Sequence, residues 1–328
     1  MKARTLRAGA LIALVAAVLL APSLIPSYRS QMALLWVMIV FALTWDLLGG
    51  QMGYNSFGNV LFLGVGMYTC VLIQRDGRLG YYAGLFLGSG AGALLAVGVA
   101  ALLGSGILGL RGHYFAIGTL GLGIAAGELA GGWDFVGAGG GMVPPLFPGE
   151  LGGRETFFYY LCLGLAAATL VVLRWLYAGR FGLVLNAIRD DEDKAEAMGL
   201  RTTRYKTAAW CISAFFLGLS GGAVGNLLGF IDPREVAFAG STFGVWMVLM
   251  AILGGKGTLW GPVIGAVLFH VTKELFWTYL LGWQRVALGL LIVVIVVFFP
   301  VGILGWARER WPERFGHRVE EIAPETSR

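Results

Sequence analysis

Long apolar runs separated by short polar or glycine-rich breaks make up most of this chain. Runs approaching spanning length recur at 8–21, 32–48, 57–73, 81–103, 114–130, 157–177, 207–230, 243–254, 259–280 and 286–304. A spanning helix needs about 20 mainly apolar residues. The pattern therefore predicts an all-α polytopic membrane protein of about ten transmembrane helices, with 243–254 the shortest. One stretch breaks the pattern: "AIRDDEDKAEAMGLRTTRYK", residues 187–206, is half charged. Each charge at the centre of a span costs roughly 2.5–3.5 kcal/mol, so this island lies outside the hydrocarbon. It divides the chain into a first half, 1–178, with a long loop at 131–155; a charged loop, 179–206; a second half, 207–306; and a tail, 307–328. Taken as two sets of five, the ten spans would have opposite orientations, as an inverted 5+5 repeat requires. The glycine-rich turns "GGQMGY" and "GGKGTLWGP" are a weak sequence echo between them.

Composition agrees with a bilayer as the main solvent: 57% of residues are hydrophobic, 13% are charged, and mean hydropathy is +0.76. Charge then sets the orientation. With the amino terminus inside, the inner loops hold Arg111, Arg180, Arg189, Lys194, Arg201, Arg204, Lys206 and Lys256, and the tail holds Arg308, Arg310, Arg314 and Arg318. The outer loops hold Arg29, Arg75, Arg78, Arg154, Arg234 and Arg285. The excess selects cytoplasmic termini and a cytoplasmic island. It also accounts for the net charge of +5 through contact with anionic lipid, without nucleic acid as a partner. The opening segment has the charge pattern of a secretory signal, with Lys2, Arg4 and Arg7 before an apolar core. No clear small-x-small cleavage site follows, so it reads as a retained first span.

The 52 glycines cluster within the spans, which suits close helix packing. Gly49 to Gly58 is the best candidate for a true helix break, because Gln51, Asn55 and Ser56 there would expose polar backbone to lipid unless protein or water covered it. The glycine- and proline-rich loop 131–155 suits an outer surface that receives a partner.

Catalytic signatures are missing. "ILGGKGT" lacks the upstream glycine of a phosphate-binding loop, and Gly257 follows Lys256 where a serine or threonine is needed. Cys70, Cys162 and Cys211 lie in apolar segments and read as packing residues, and His113, His270 and His317 lack metal-ligand spacing. The chain is read as neither an enzyme nor a holder of metal or cofactor. Ionisable groups inside spans are the sharper hints, since each is costly in lipid: Asp46, Glu128, His270, Lys273 and Glu274. His270 and Glu274, four apart, share a helix face that a proton relay would use.

Within the island, acidic residues 190–193 precede "KAEAM" and Gly199. This order predicts a short helix of about two turns, its amino end favoured by the acids and its far end capped by glycine. Ile188, Ala195 and Met198 would give it an apolar stripe fit to dock in a groove of a soluble partner.

At this stretch the chain resembles the cytoplasmic coupling segment of the permease subunits of branched-chain amino acid ABC transporters. Gly179, Arg180, Ala187, Ile188, Arg189, Asp190, Asp191, Glu192, Ala195 and Gly199 carry the match. "GQMGYNSFGNVLFLGVGMY", "LRGHYFAIGTLG" and "GGKGTLWGPVIGA" resemble further family motifs, and "LRGHYFAIGTLG" with the long outer loop points to the larger of the two homologous permeases. "VGAGGGMVPP" in that loop and Met67 depart from the family pattern. The resemblance implies a type II ABC importer-like bundle in a bacterial-type inner membrane. Its implied partners are a second permease, two cytoplasmic ATPase subunits and an extracytoplasmic binding protein. Arg180, Arg189, Asp190, Asp191, Glu192, Ala195 and Gly199 are then the ATPase-coupling residues. Gln51, Asn55 and Ser56 in the break, with Tyr114 and Thr119 on the fifth span, are the candidate translocation path. The competing expectations are a permease for urea or short-chain amides and a proton-coupled carrier using His270 and Glu274.

Overall fold

A computed structural model describes residues 13, 15–75, 79–280, 282–283, 286–287, 289–290, 293–294, 297 and 302–310. Part of the first predicted span, about half of the tenth, Arg78, Arg285 and the tail from 311 lie outside the described residues. Twelve α-helices are named among the described residues: α1 (Val15–Leu24), α2 (Arg29–Gly49), α3 (Val60–Arg75), α4 (Tyr81–Ile107), α5 (Gly112–Gly132), α6 (Leu151–Ala178), α7 (Arg180–Asp190), α8 (Glu192–Ala197), α9 (Thr202–Leu228), α10 (Val245–Gly254), α11 (Gly261–Tyr279) and α12 (Gly302–Arg310). Among the described residues six stretches are long and apolar enough to cross a bilayer: Pro26–Gly49, Tyr81–Ile107, Gly112–Gly132, Leu151–Ala178, Thr202–Leu228 and Pro233–Gly254. The chain is an all-α multi-pass membrane protein.

Several boundaries differ from those read in the sequence. Helix α3 starts at Val60 rather than 57, because residues 50–59 are not helical. Helix α9 starts at Thr202 rather than 207 and so takes Lys206 into its first turns. The predicted short helix is α8, which Asp191 opens and Gly199 closes, and α7 precedes it as a separate helix. The break between them falls at Asp191, whose backbone is extended and whose carboxylate Oδ1 caps α8 by accepting the Lys194 backbone N–H at 3.1 Å.

Inside lipid, apolar surface alone does not hold helices together, so backbones must approach closely enough for dispersion and polar contacts to act. Helices α3, α4 and α9 do this through glycine. A Cβ added at Gly66 would collide with the backbone of Gly218, one at Gly218 would lie 2.8 Å from the Ala93 Cα, and one at Gly92 3.0 Å from the Gly66 Cα. Helix α2 lies inside the bundle against α6, α9, α10 and α11. Of its apolar window 78% is buried, against 28% for α5, which is the least covered of the spans.

The bundle has two distinguishable ends. At the island end, α7 and α8 meet the 50–59 segment and the 255–258 turn. At the far end, Arg154 donates to the carbonyls of Asn226 and Leu227 at 2.9 and 2.8 Å, and Glu128 pairs with Arg234. The long loop is folded there: Met142 and Ile231 exchange backbone hydrogen bonds at 2.9 and 2.8 Å, and Phe147 packs among Tyr81, Tyr82 and Phe157.

Packing at Gly66 yields a direct test. Gly66→Val should destabilise the bundle by about 1–3 kcal/mol, the usual range for overpacking. Gly98→Ala, whose added Cβ meets nothing within 4 Å, should be neutral or stabilising by about 0.5–1 kcal/mol. Thermal unfolding in detergent measures both.

Candidate functional site

Two segments interrupt the helices inside the bundle. Helix α2 ends at Gly49, and the chain then runs without helix through Gln51, Asn55 and Ser56 to Val60. Helix α9 ends at Gly229 in a left-handed cap, and residues 233–244 form two short irregular turns before α10. The first of these is capped by Asp232, whose carboxylate accepts the N–H groups of Arg234 and Glu235 at 2.8 and 2.6 Å. One interruption enters from the island end and the other from the far end. They meet where a Cβ on Gly244 would lie 3.0 Å from the Phe57 carbonyl, beside the edge-on pair of Phe41 and Phe243.

Protein groups cover the first interruption, as its polar backbone requires. Trp45 Nε1 donates to the Ser56 carbonyl at 2.7 Å, and the Phe57 N–H donates to Thr119 Oγ1 at 3.1 Å. Asn59 donates to Ser213 at 3.4 Å, and Ser213 to the Thr44 carbonyl at 3.1 Å. Of the predicted path residues, Ser56 and Thr119 are therefore brought together and fully buried. Gln51 is buried nearer the island, its N–H bonded to the Asp46 carbonyl at 2.8 Å, whereas Asn55 is exposed. Tyr114 is 77% exposed, on the other side of α5 from Thr119. Phe115, Thr119, Gly123 and Gly127 form the buried stripe of α5, and Tyr114, Ile117, Gly121 and Ile124 form its open one.

The charged island closes on this segment through a buried ion pair. Lys206 Nζ lies 2.6 Å from Glu192 Oε1, with side chains 4% and 9% exposed. Tyr54 from the interruption joins both: its hydroxyl donates to Glu192 Oε2 at 2.5 Å and accepts from Lys206 at 3.0 Å. Lys206 also donates to the Leu108 carbonyl at the end of α4 at 2.8 Å. Arg111 reaches Glu192 at 3.4 Å and Asp193 at 2.9 Å from the start of α5. Three elements thus converge on the Glu192 carboxylate, and α4 joins them through Lys206. Burial pushes Glu192 upward, but the hydrogen bonds from Lys206 and Tyr54 outweigh it and hold the carboxyl below its ordinary 4.5. Asp191 is likewise held below its ordinary 3.8 by the Lys194 backbone N–H.

The other island residues divide by exposure. Ala195 is fully buried and Ile188 nearly so, while Met198 is 72% exposed. The apolar stripe expected to face a partner is turned mainly into the chain's own bundle. Arg180 and Asp190 face outward, and Gly199 closes α8 with a φ of +86°. Arg189 pairs with Asp190 at 3.1 Å, and its side chain lies over Gly53 and Gly257. The two glycine turns noted in the sequence touch here: Gly257 N–H donates to Asp46 Oδ1 at 2.7 Å, and Gly50 packs on Gly257. Beside the island, an open groove of about 490 Å³ is lined by Phe181, Arg201, Arg204 and Tyr205.

Lys206, Tyr54 and Arg111 are not site residues by the sequence pattern, which marks Asp46 only as a costly ionisable group inside a span. A lysine within reach of an apolar run was the available signal for Lys206, since burying it demands a partner. Among the described residues no hydrogen bond joins His270 to Glu274, the pair expected to relay protons. Glu274 pairs with Lys273 at 2.7 Å, and His270 Nδ1 has no partner among the described residues.

The family described as branched-chain amino acid transport system / permease component matches residues 28–298. Over 314 residues the chain is 28% identical to the high-affinity branched-chain amino acid transport system permease protein LivM of Salmonella typhimurium, covering 88% of this chain and 72% of that protein. The LivM protein of Escherichia coli K12 is 28% identical over 304 residues, covering 83% and 68%. LivH of Salmonella typhimurium is 29% identical over 174 residues, covering 50% and 55%. No solved structure matches the chain. With most of its spans inside the matched region and its likeness to LivM running well beyond its likeness to LivH, this LivM-like chain belongs to the branched-chain amino acid transport permease family.

Proposed function

We propose that this permease is one of two membrane subunits of an ATP-driven importer of branched-chain amino acids. A second, LivH-like permease faces the open stripe of α5, two ATPase subunits dock on the island, and a binding protein delivers substrate at the far end. The single observation that carries the reading is the buried Glu192, Lys206 and Tyr54 cluster, because it joins a solvent-facing charged island to an interrupted helix inside the bundle.

Motion of the island under an ATPase would pull on Glu192. Through Tyr54 this displaces residues 50–59, and through Phe57 it reaches Thr119 and α5. Arg180, Arg189, Asp190, Asp191 and Gly199 form the contact surface, while Glu192 and Ala195 seat the island in the bundle. The path runs along Tyr114, Ile117, Gly121 and Ile124. This mainly apolar stripe suits a branched aliphatic side chain and leaves α5 to be covered by another subunit. At the far end, Trp133, Phe135, Val143 and Leu146 are exposed on the folded loop and offer the binding protein an apolar contact.

A bacterial-type inner membrane location, cytoplasmic termini, ten spans and the 5+5 repeat belong to the same proposal. Basic residues crowd the island end, which supports placing it in the cytoplasm. The repeat is supported by the two interruptions: one follows the second span, the other follows the seventh, and they enter from opposite ends.

The founding test is reconstitution with the second permease, the ATPase subunits and the binding protein in vesicles. Labelled leucine should accumulate only with ATP inside the compartment that the island faces and binding protein on the other side. Uptake without ATPase subunits would overturn the reading. Removing one partner of a buried pair costs about 3–5 kcal/mol, so Lys206→Met should lower stability by that order and abolish uptake. Lys206→Met with Glu192→Leu should recover most of the stability but no uptake, separating packing from coupling. Because the folded Glu192 titrates below 4.5, its contribution is complete above that value and disappears as pH falls through the lowered folded one. The stability gap between the wild type and the double variant should stay flat from about pH 6 to 8. For the path, Ile117→Trp should cut uptake at least tenfold with ATPase binding intact. Leu102→Trp, at a position of α4 that is 76% exposed, should leave it unchanged.

A further inference from the structure

A second polar site lies away from the coupling cluster, between the start of α2 and the far-end half of α11. It is a cavity of about 600 Å³. Its polar rim comprises Ser27, Tyr28, Gln31, Glu274, Thr278 and Tyr279, and its apolar wall includes Leu35 and Leu275. His270 also lines it, although the residue is only 4% exposed and its Nδ1 has no partner among the described residues. Transport as derived above uses none of these residues.

The arrangement matches one class of occupant. Tyr28 and Tyr279 are 57% and 77% exposed at the helix ends where a bilayer turns polar, the depth at which amphipathic rings collect. Below them the wall is aliphatic, fit for acyl chain. The hydroxyls of Ser27 and Tyr28 and the amide of Gln31 are donors suited to a phosphate diester. Glu274 lines the same space as an anion. Lys273, which neutralises it in part at 2.7 Å, lies against the Trp246 ring, with its Nζ 5.4 Å from the ring centre. A headgroup carrying both a phosphate and a primary ammonium would meet donors and a carboxylate in one cavity. An anionic headgroup without the ammonium would bring its charge beside Glu274 with only Lys273, already paired with that carboxylate, to offset it.

We propose that this cavity binds a phospholipid with a primary-amine headgroup, phosphatidylethanolamine in chemical class, from the leaflet opposite the island. The ammonium is held by Glu274 and the phosphate by the rim donors.

Native mass spectrometry of the full chain, purified in mild detergent, stripped of lipid and titrated with defined lipids, tests this. Dioleoyl phosphatidylethanolamine should be retained at least fivefold more than dioleoyl phosphatidylglycerol at equal concentration. Glu274→Gln should remove that preference, and Glu128→Gln, at the same end but outside the cavity, should keep it. Ser27→Leu, an exposed rim substitution that narrows the mouth, supplies a second variant should Glu274→Gln fail to fold, and should lower retention at least threefold. Glycerophosphoethanolamine, the headgroup without acyl chains, should not be retained. Equal retention of the two lipids, a preference untouched by Glu274→Gln or Ser27→Leu, or retention of the soluble headgroup would each overturn the proposal. Failure of leucine uptake in the reconstituted importer would leave this result standing, since the readout requires no transport.

Discussion

Close approach of backbones through glycine is the constraint on which this bundle rests. A helix already surrounded by lipid gains little from apolar contact with another helix, so stability must come from shape and from polar groups with no better partner. At Gly66, Gly92 and Gly218 the chain removes side chains so that α3, α4 and α9 meet almost surface to surface. That rigid trio supports α2 on one side and the irregular segments on another. Helix α5 lacks a comparable seat, and its open stripe is the structural basis for assigning it to a shared path.

Charge is treated in the opposite way. Lys206 is drawn into the first turns of α9 and sealed by Glu192, Tyr54 and the Leu108 carbonyl. A pair this dry adds little net stability, because desolvation cancels much of its attraction. Its value is positional. A buried charge tolerates few alternative geometries, so the island cannot drift relative to residues 50–59 without breaking bonds that nothing else would replace.

Much of the architecture was legible in the sequence because lipid enforces a simple code of long apolar runs, and the interruption at 49–58 was legible because polar residues in such a run demand cover. Helix starts were less legible. Lys206 counted as a loop residue by charge, yet its long side chain turns inward to a carboxylate that pairing in space, not sequence, supplies. The direction of the island's apolar stripe was hidden for the same reason: Ile188 and Ala195 would suit a partner's groove as well as the chain's own bundle, and only the fold decides. Tyr114 and Thr119 looked equivalent along the chain. A turn of α5 places one in the open and the other beneath Phe57.

The meeting of Gly50 with Gly257 has a consequence for how such a protein changes over generations. Either turn, considered alone, is a short surface-like stretch of the kind that accumulates substitutions freely. Because each backbone fills the space where the other's side chain would grow, with Asp46 bonded across the contact, a change at one turn is tolerated only if the other shifts with it. Two stretches on opposite sides of the island therefore behave as a single heritable unit, and an exchange of chain segments between related permeases would have to carry both turns together or refit the joint.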